Sequence, residues 1–100
     1  MEFPMSILVR FQPAGLTRQQ YDEVTDQIEK AGAWPPDGLQ LHVLFGTEGD
    51  LKVSEIWESE EKLRAFGEQL MPVLNEVGIQ LAGEPEILEV HVLEQPRTTA

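Results

Sequence analysis

Apolar and polar residues alternate along four short segments of the chain, a period typical of β-strands that bury one face. The predicted strands span residues 5–12, 39–46, 51–58 and 87–94. Between the second and third, the sequence TEGD indicates a hairpin turn with a glycine at a position that needs a positive φ. The alternation therefore predicts a four-stranded sheet in which the middle two segments form a hairpin.

Two other segments repeat apolar residues at intervals of three and four, the period of an amphipathic helix. The first helix is predicted to begin after Thr17, which opens a capping-box sequence, and to end at Gly32. The second is predicted between Ser59 and Gly78. Because proline removes a helical hydrogen bond, Pro72 predicts a kink or a division into a long and a short helix.

The elements follow the order β-α-β-β-α-β, which predicts the ferredoxin-like α+β fold. Right-handed crossovers place the first and third strands in the centre of the sheet and both helices on one face. One domain is expected over residues 5–94, with flexible ends at 1–4 and 95–100.

The hairpin relates the side chains of its two strands. A turn that is symmetric about Glu48 and Gly49 places His42 opposite Glu55 and Gln40 opposite Trp57. A one-residue bulge would change this register. We therefore expect an imidazole and a carboxylate to lie side by side, with an indole nearby.

The strands also predict which face the helices cover. Ile7, Val9 and Phe11 form an apolar set on the first strand, and we expect this set beneath the helices. We group with it Leu39, Leu41, Val43, Phe45, Ser54, Ile56, Leu88, Val90 and Val92. The helix-free face then carries Leu8, Arg10, Gln12, Gln40, His42, Leu44, Val53, Glu55, Trp57, Ile87, Glu89, His91 and Leu93. A mixed apolar and charged face predicts an interaction surface, and a homodimer through this face is the expected use.

Composition narrows the classes of function. Seven Lys and Arg stand against 18 Asp and Glu, a formal net charge of −11 that disfavours nucleic acids and anionic membrane surfaces. The absence of cysteine excludes a disulfide, a thiolate nucleophile and a Cys-ligated metal. The apolar runs are too short to span a membrane, and the sequence has no leader-like start. Both features favour a cytoplasmic protein. No phosphate loop, HExxH, GxSxG or CxxC motif occurs.

The stretch LKVSEIWESEEKLRAF, residues 51–66, resembles the dimeric α+β barrel superfamily, and within it the antibiotic biosynthesis monooxygenase-like proteins. The resemblance rests on a strand that ends in Trp57, an acidic helix start and an LxAF segment. It implies a barrel formed by two sheets that pair across their helix-free faces. It also implies a cofactor-independent monooxygenase, isomerase or cyclase. Phe66 stands where that branch often has a histidine, and only Trp57 matches the residue set of haem-degrading members, so no cofactor is expected.

Five residues are candidates for chemistry on a small aromatic or anionic ligand. His42 would accept and donate a proton, with Glu55 to orient it and His91 as a second proton carrier. Arg10 would hold an anionic group, and Trp57 would form an aromatic wall. The structural alternatives are an interface histidine paired across strands, an arginine paired with a glutamate, and a core tryptophan.

Three questions stay open at the level of sequence. A metal site of His42, His91 and Glu55 has no support from ligand spacing. The chain could equally form a non-catalytic barrel that binds a ligand or a protein. The pocket could lie in the barrel interior or under the helices, where Tyr21 and Trp34 would be its walls.

Overall fold

The computed structural model describes residues 6–96 and has the predicted order β-α-β-β-α-β. The four strands form one antiparallel sheet in the order β2-β3-β1-β4, so the predicted central pair of β1 and β3 is confirmed. Segments 1–4 and 97–100, which belong to the predicted flexible ends, lie outside the described residues. The elements are β1 (Ile7–Phe11), α1 (Arg18–Lys30), β2 (Leu39–Thr47), β3 (Asp50–Trp57), α2 (Glu60–Val77) and β4 (Glu86–Glu89).

The helix ends lie where the capping residues predict them. The Thr17 side chain accepts from the backbone of Gln20, and the Gln20 side chain accepts from the backbone of Thr17, which completes the capping box. Ser59 caps α2, and Gly78 ends it in the left-handed conformation with φ of 87°. A single helix continues through Pro72, so the alternative of two separate helices is wrong. Packing of its apolar stripe outweighs the one hydrogen bond that proline removes.

The hairpin has the predicted register over most of its length. His42 lies opposite Glu55, as the symmetric turn predicted. An irregularity between Leu39 and Leu41 shifts the start of β2, so that Leu39 instead of Gln40 pairs with Trp57. The predicted Gln40–Trp57 pair is therefore wrong, because a bulge adds one unpaired residue to a strand.

The face assigned to the hairpin residues is wrong. β1 pairs with β3 so that Val9 lies opposite Glu55 and Ile7 opposite Trp57, which puts these four side chains on one face. Val9 and Trp57 pack against both helices in the core. Glu55, Trp57 and His42 therefore lie beneath the helices and not on the helix-free face. A change of one residue in the register between two strands moves every side chain of a strand to the opposite face.

The helix-free face is consequently more apolar than expected. Leu41, Val43 and Phe45 are 38–40% exposed, and Leu88 is 45% exposed. We call this surface the free face, and it comprises Leu8, Arg10, Leu41, Val43, Phe45, Lys52, Ser54, Ile56, Glu86 and Leu88. Three neighbouring apolar side chains of β2 thus project from a sheet that no helix covers on this side.

β4 is shorter than predicted. It covers Glu86–Glu89 in place of residues 87–94, and it pairs only with β1. Since β1 begins at Ile7, residues after Val90 have no strand to pair with, and the backbone of Val90 makes one last bond to Ser6. Ile87 lies opposite Val9, so its assignment to the helix-free face is also wrong.

Two apolar clusters hold the helices on the sheet. The larger has Val9, Ile28, Trp57 and Phe66 at its centre, and the smaller has Leu16, Leu51 and Ile79. Between residues 6 and 96, neither helix has the length and hydropathy that a membrane crossing requires.

Candidate functional site

Four side chains form a continuous hydrogen-bonded chain between the helices and the sheet. The Tyr21 hydroxyl lies 2.7 Å from His42 Nε2, and His42 Nδ1 lies 2.6 Å from Glu55 Oε2. Trp57 Nε1 donates to Glu55 Oε1 over 2.9 Å. Glu55 is 4% exposed and Trp57 is fully buried. A phenol, an imidazole, a carboxylate and an indole therefore act as one connected unit, which we call the Tyr–His–Glu–Trp chain.

With a neutral His42 ring, the donors and acceptors of the Tyr–His–Glu–Trp chain fit one arrangement. The indole N–H of Trp57 can only donate, which assigns one oxygen of the Glu55 carboxylate as its acceptor. The other oxygen accepts from Nδ1–H of His42, so the Nε2 atom of the neutral ring is free to accept from the Tyr21 hydroxyl. Within residues 6–96, every buried side-chain nitrogen and oxygen atom has a hydrogen-bond partner.

Secondary structure positions each member of the chain. The β2–β3 pairing brings His42 opposite Glu55, and Trp57 follows two residues later on the same face of β3. Tyr21 lies in the first turn of α1, where its backbone N–H donates to the carbonyl of Thr17. The capped helix start thus fixes the position of the phenol over the strand that carries the histidine.

Aromatic rings enclose the imidazole. Trp34 meets His42 edge to face, with ring centroids 5.2 Å apart. The loop that carries Trp34 is tied to α2 because Lys62 Nζ donates to Asp37 over 2.8 Å. This hydrogen bond raises the pKa of Lys62 from its usual value, so the charged tie persists throughout the neutral range. The ring of His42 is therefore held by its contact with Trp34 as well as by its two hydrogen bonds.

Three members of the Tyr–His–Glu–Trp chain form the polar wall of an otherwise apolar cavity of about 90 Å³. Tyr21, His42 and Glu55 face this cavity, and Thr25 adds one hydroxyl group. The remaining lining residues are apolar: Phe11, Pro13, Leu16, Val24, Ile28, Trp34, Val53, Phe66, Leu70, Leu74, Ile79 and Leu81. A low-dielectric cavity with a few convergent polar groups is the usual form of a small-molecule site.

Two of the predicted site residues lie elsewhere. Arg10 is on the free face, where its guanidinium lies 3.7 Å from Glu86. The sheet therefore separates it from His42, so the structure does not bring the predicted anion clamp together with the histidine. His91 is exposed, lies outside every described strand and does not line the cavity. The structure therefore does not bring it together with His42.

The role predicted for Trp57 also changes. Its ring is fully buried among Val9, Ile28 and Phe66 and does not line the cavity, so it is a core residue that fixes Glu55. Of the side chains that the structure describes, no three histidines, aspartates or glutamates are grouped so that they could hold a metal ion.

Tyr21 is the functional side chain whose contact the sequence did not reveal. It was placed only as a wall of a pocket beneath the helices, and its bond to His42 depends on how α1 lies across the sheet. Helical periodicity places Tyr21 on the apolar stripe of α1, but no local signal relates that stripe to β2. A hydroxyl at the start of such a stripe was the one available indication.

The polypeptide folds into a small ferredoxin-like α+β domain, and this fold recurs in solved structures. A conserved protein from Methanosarcina mazei Go1 superposes with a TM-score of 0.51 and 16% identity, over 87% of this chain and 92% of that chain. A provisionally assigned antibiotic biosynthesis monooxygenase from Deinococcus radiodurans superposes with a TM-score of 0.50 and 15% identity, over 96% of this chain and 100% of that chain. Another protein with the same description, from Caulobacter crescentus CB15, superposes with a TM-score of 0.50 and 16% identity, over 92% of this chain and 94% of that chain.

These similarities confirm the resemblance to antibiotic biosynthesis monooxygenase-like proteins at the level of the fold. No protein-family model matches the sequence, and no curated protein matches it. The chemistry of this chain must therefore be argued from its own residues.

Proposed function

We propose that the protein binds a small apolar molecule in the cavity beneath its helices and exchanges a proton with it. The reaction would be that of a cofactor-independent monooxygenase, isomerase or cyclase. The observation that carries this proposal is the Tyr–His–Glu–Trp chain on the wall of an apolar cavity. Removal of a proton from the ligand is a first step that all three reaction types share.

The proton path is set by the hydrogen bonds. The oxygen of Tyr21 accepts a proton from an acidic C–H or O–H of the ligand while its own proton moves to His42 Nε2. The imidazolium that forms donates to the carboxylate of Glu55, which the indole of Trp57 holds in place. Since little water reaches Glu55, its charge stabilises the imidazolium more strongly than it would in bulk solvent.

The fate of the ligand anion distinguishes the three reactions. Return of the proton to a different carbon gives an isomer, and attack of the carbanion on a carbonyl of the same molecule closes a ring. If dioxygen oxidises a CH₂ group, one oxygen atom enters the ligand as a ketone and the other leaves as water. The Tyr–His–Glu–Trp chain supplies the proton transfer in each case.

The proposal is tested by a thermal-shift screen with neutral phenols and small lactones, followed by a turnover assay of each hit. Replacement of His42 by glutamine should lower turnover about 10²–10⁴-fold, because the ring that receives the proton is lost. His91→Gln is the matched control and should leave turnover unchanged, since His91 is exposed and outside the cavity. Equal turnover by the wild type and His42→Gln would refute the assignment.

A non-catalytic ligand-binding domain is the second candidate. The observation in its favour is that the hydrogen bonds of the Tyr–His–Glu–Trp chain are all satisfied within the protein, as in a network that only specifies packing. Ligands that bind and perturb His42 without being converted would support this alternative.

We further propose that two copies of the chain pair through the free face. Leu41, Val43 and Phe45 form a row of exposed apolar side chains on β2, and an exposed apolar patch of this kind marks an interaction surface. Light scattering after size exclusion should give about twice the mass of one chain. Val43→Lys should give a monomer, because it places a charge at the centre of this row. Met71→Lys on α2, a residue of similar exposure, should leave the mass unchanged.

A further inference from the structure

A second concavity of about 400 Å³ lies between α2 and the edge formed by β1 and β4. It is an open groove, and its inner end shares a wall with the cavity that contains the Tyr–His–Glu–Trp chain. The shared residues are Phe11, Glu55, Phe66, Leu70, Leu74 and Leu81. Glu55 therefore lines both the groove and the inner cavity.

Gly67 adds no side chain to the wall of this groove. It lies in the middle of α2 and lines the groove, and a Cβ atom added there would meet no other atom within 4 Å. Glycine in a helix interior is less favourable than alanine, so packing does not explain its presence. The rims of the groove are apolar and exposed, with Met71 on α2 and Ile87 on β4.

The charges of the groove favour an uncharged occupant. Among the described residues that line it, the one cation is Arg64, which is already bound to the carboxylate of Glu60 by two hydrogen bonds of 2.9 and 2.6 Å. Glu84 lies in the groove wall, and Glu55 lies at its inner end. An anionic ligand would meet two carboxylates and an arginine that is already neutralised.

The size of the inner cavity sets the length of the occupant. Its volume of about 90 Å³ is smaller than the roughly 150 Å³ of an engineered cavity that holds one benzene molecule. A ligand as large as one aromatic ring must therefore extend beyond the cavity, and the groove is the adjoining space. We propose that the groove is the entrance and a second subsite, which binds the hydrocarbon body of an uncharged, elongated molecule whose polar end reaches Tyr21. This inference rests on the proposed function of the inner site.

The test compares a long and a short probe in wild type and two variants of Gly67. The long probe is N-phenyl-1-naphthylamine, followed by fluorescence, and the short probe is acetone, which is smaller than one aromatic ring and is followed by NMR shifts of Tyr21 and His42. Gly67→Leu fills the groove with a good helix former, and it should weaken binding of the long probe by about tenfold or more. Acetone should shift the same signals in wild type and Gly67→Leu. Gly67→Ala is the control and should bind the long probe within about twofold of the wild type.

The outcomes separate the groove from the inner site. The proposal of a groove subsite would be overturned if the long probe bound equally well to Gly67→Leu and wild type. It would also be overturned if binding to wild type were undetectable. Loss of long-probe binding in Val43→Lys, with Gly67→Leu unaffected, would place the probe on the free face and overturn it as well. If acetone leaves Tyr21 and His42 unperturbed while Gly67→Leu still weakens binding of the long probe, the groove stands and the proposed function fails.

Discussion

Replacing Trp57 by alanine is expected to lower the free energy of unfolding by about 3–5 kcal/mol, the usual cost of removing a large buried aromatic side chain. Its ring is fully buried among Val9, Ile28 and Phe66, and its loss also leaves the Oε1 atom of Glu55 without a donor. Since small domains are stable by only about 5–15 kcal/mol, a large part of the stability depends on this side chain. Urea unfolding followed by circular dichroism measures the difference.

Two controls separate packing from hydrogen bonding at this position. Trp57→Phe retains an aromatic ring but removes the N–H donor, and the smaller loss of about 1–3 kcal/mol reports mainly the unpaired Glu55 oxygen. Val92→Ala removes apolar atoms from a side chain that is 75% exposed, and its effect should stay within about 0.5 kcal/mol. Equal losses in Trp57→Ala and Val92→Ala would contradict the position of Trp57 at the centre of the core.

The second large effect is expected from Glu55→Gln. The oxygen of the amide can accept from Trp57, which leaves its NH₂ group facing Nδ1 of His42. The neutral imidazole must then carry its proton on Nε2, where it donates to the oxygen of Tyr21. Tyr21 can no longer pass its proton to His42, so turnover should fall about 10²–10⁴-fold, as when other catalytic histidines are held in the wrong tautomer.

The tautomer can be measured independently of turnover. Long-range ¹H–¹⁵N correlation spectra of the ring, recorded where it is neutral, distinguish a protonated Nδ1 from a protonated Nε2. We expect Nδ1–H in the wild type and Nε2–H in Glu55→Gln. His91 provides the internal control, because it contacts neither Glu55 nor Tyr21 and its spectrum should not change. The same tautomer of His42 in both proteins would show that Glu55 does not orient the ring.

Local features of the sequence were sufficient to predict the elements. Thr17 and Ser59 predicted the two helix starts, since a side-chain oxygen can satisfy a free backbone N–H only at a helix end. The hairpin could be predicted because a short turn couples its strands directly, and this coupling placed His42 opposite Glu55. The bulge near Leu39 could not be predicted, since a single unpaired residue leaves no distinctive pattern.

The face that the helices cover was beyond the reach of the same features. β1 and β3 are joined through a helix and another strand, so no turn fixes which residues of the two strands lie side by side. Both faces of the hairpin carry apolar residues, so alternation does not distinguish them. Only the pairing of Val9 with Glu55 placed the Glu55 carboxylate under the helices, and the Tyr21–His42 contact depends on that placement.

The sequence by itself determined the element order, the helix caps and the neighbouring positions of His42 and Glu55, because each depends on residues close in the chain or joined by one turn. The tertiary structure alone decided that these side chains face the helices and that Arg10 and His91 are remote from them. It also decided that Tyr21 completes the Tyr–His–Glu–Trp chain. These facts depend on the register between strands that are distant in sequence and on the packing of helices across a sheet, where a shift of one residue reverses which side chains are buried.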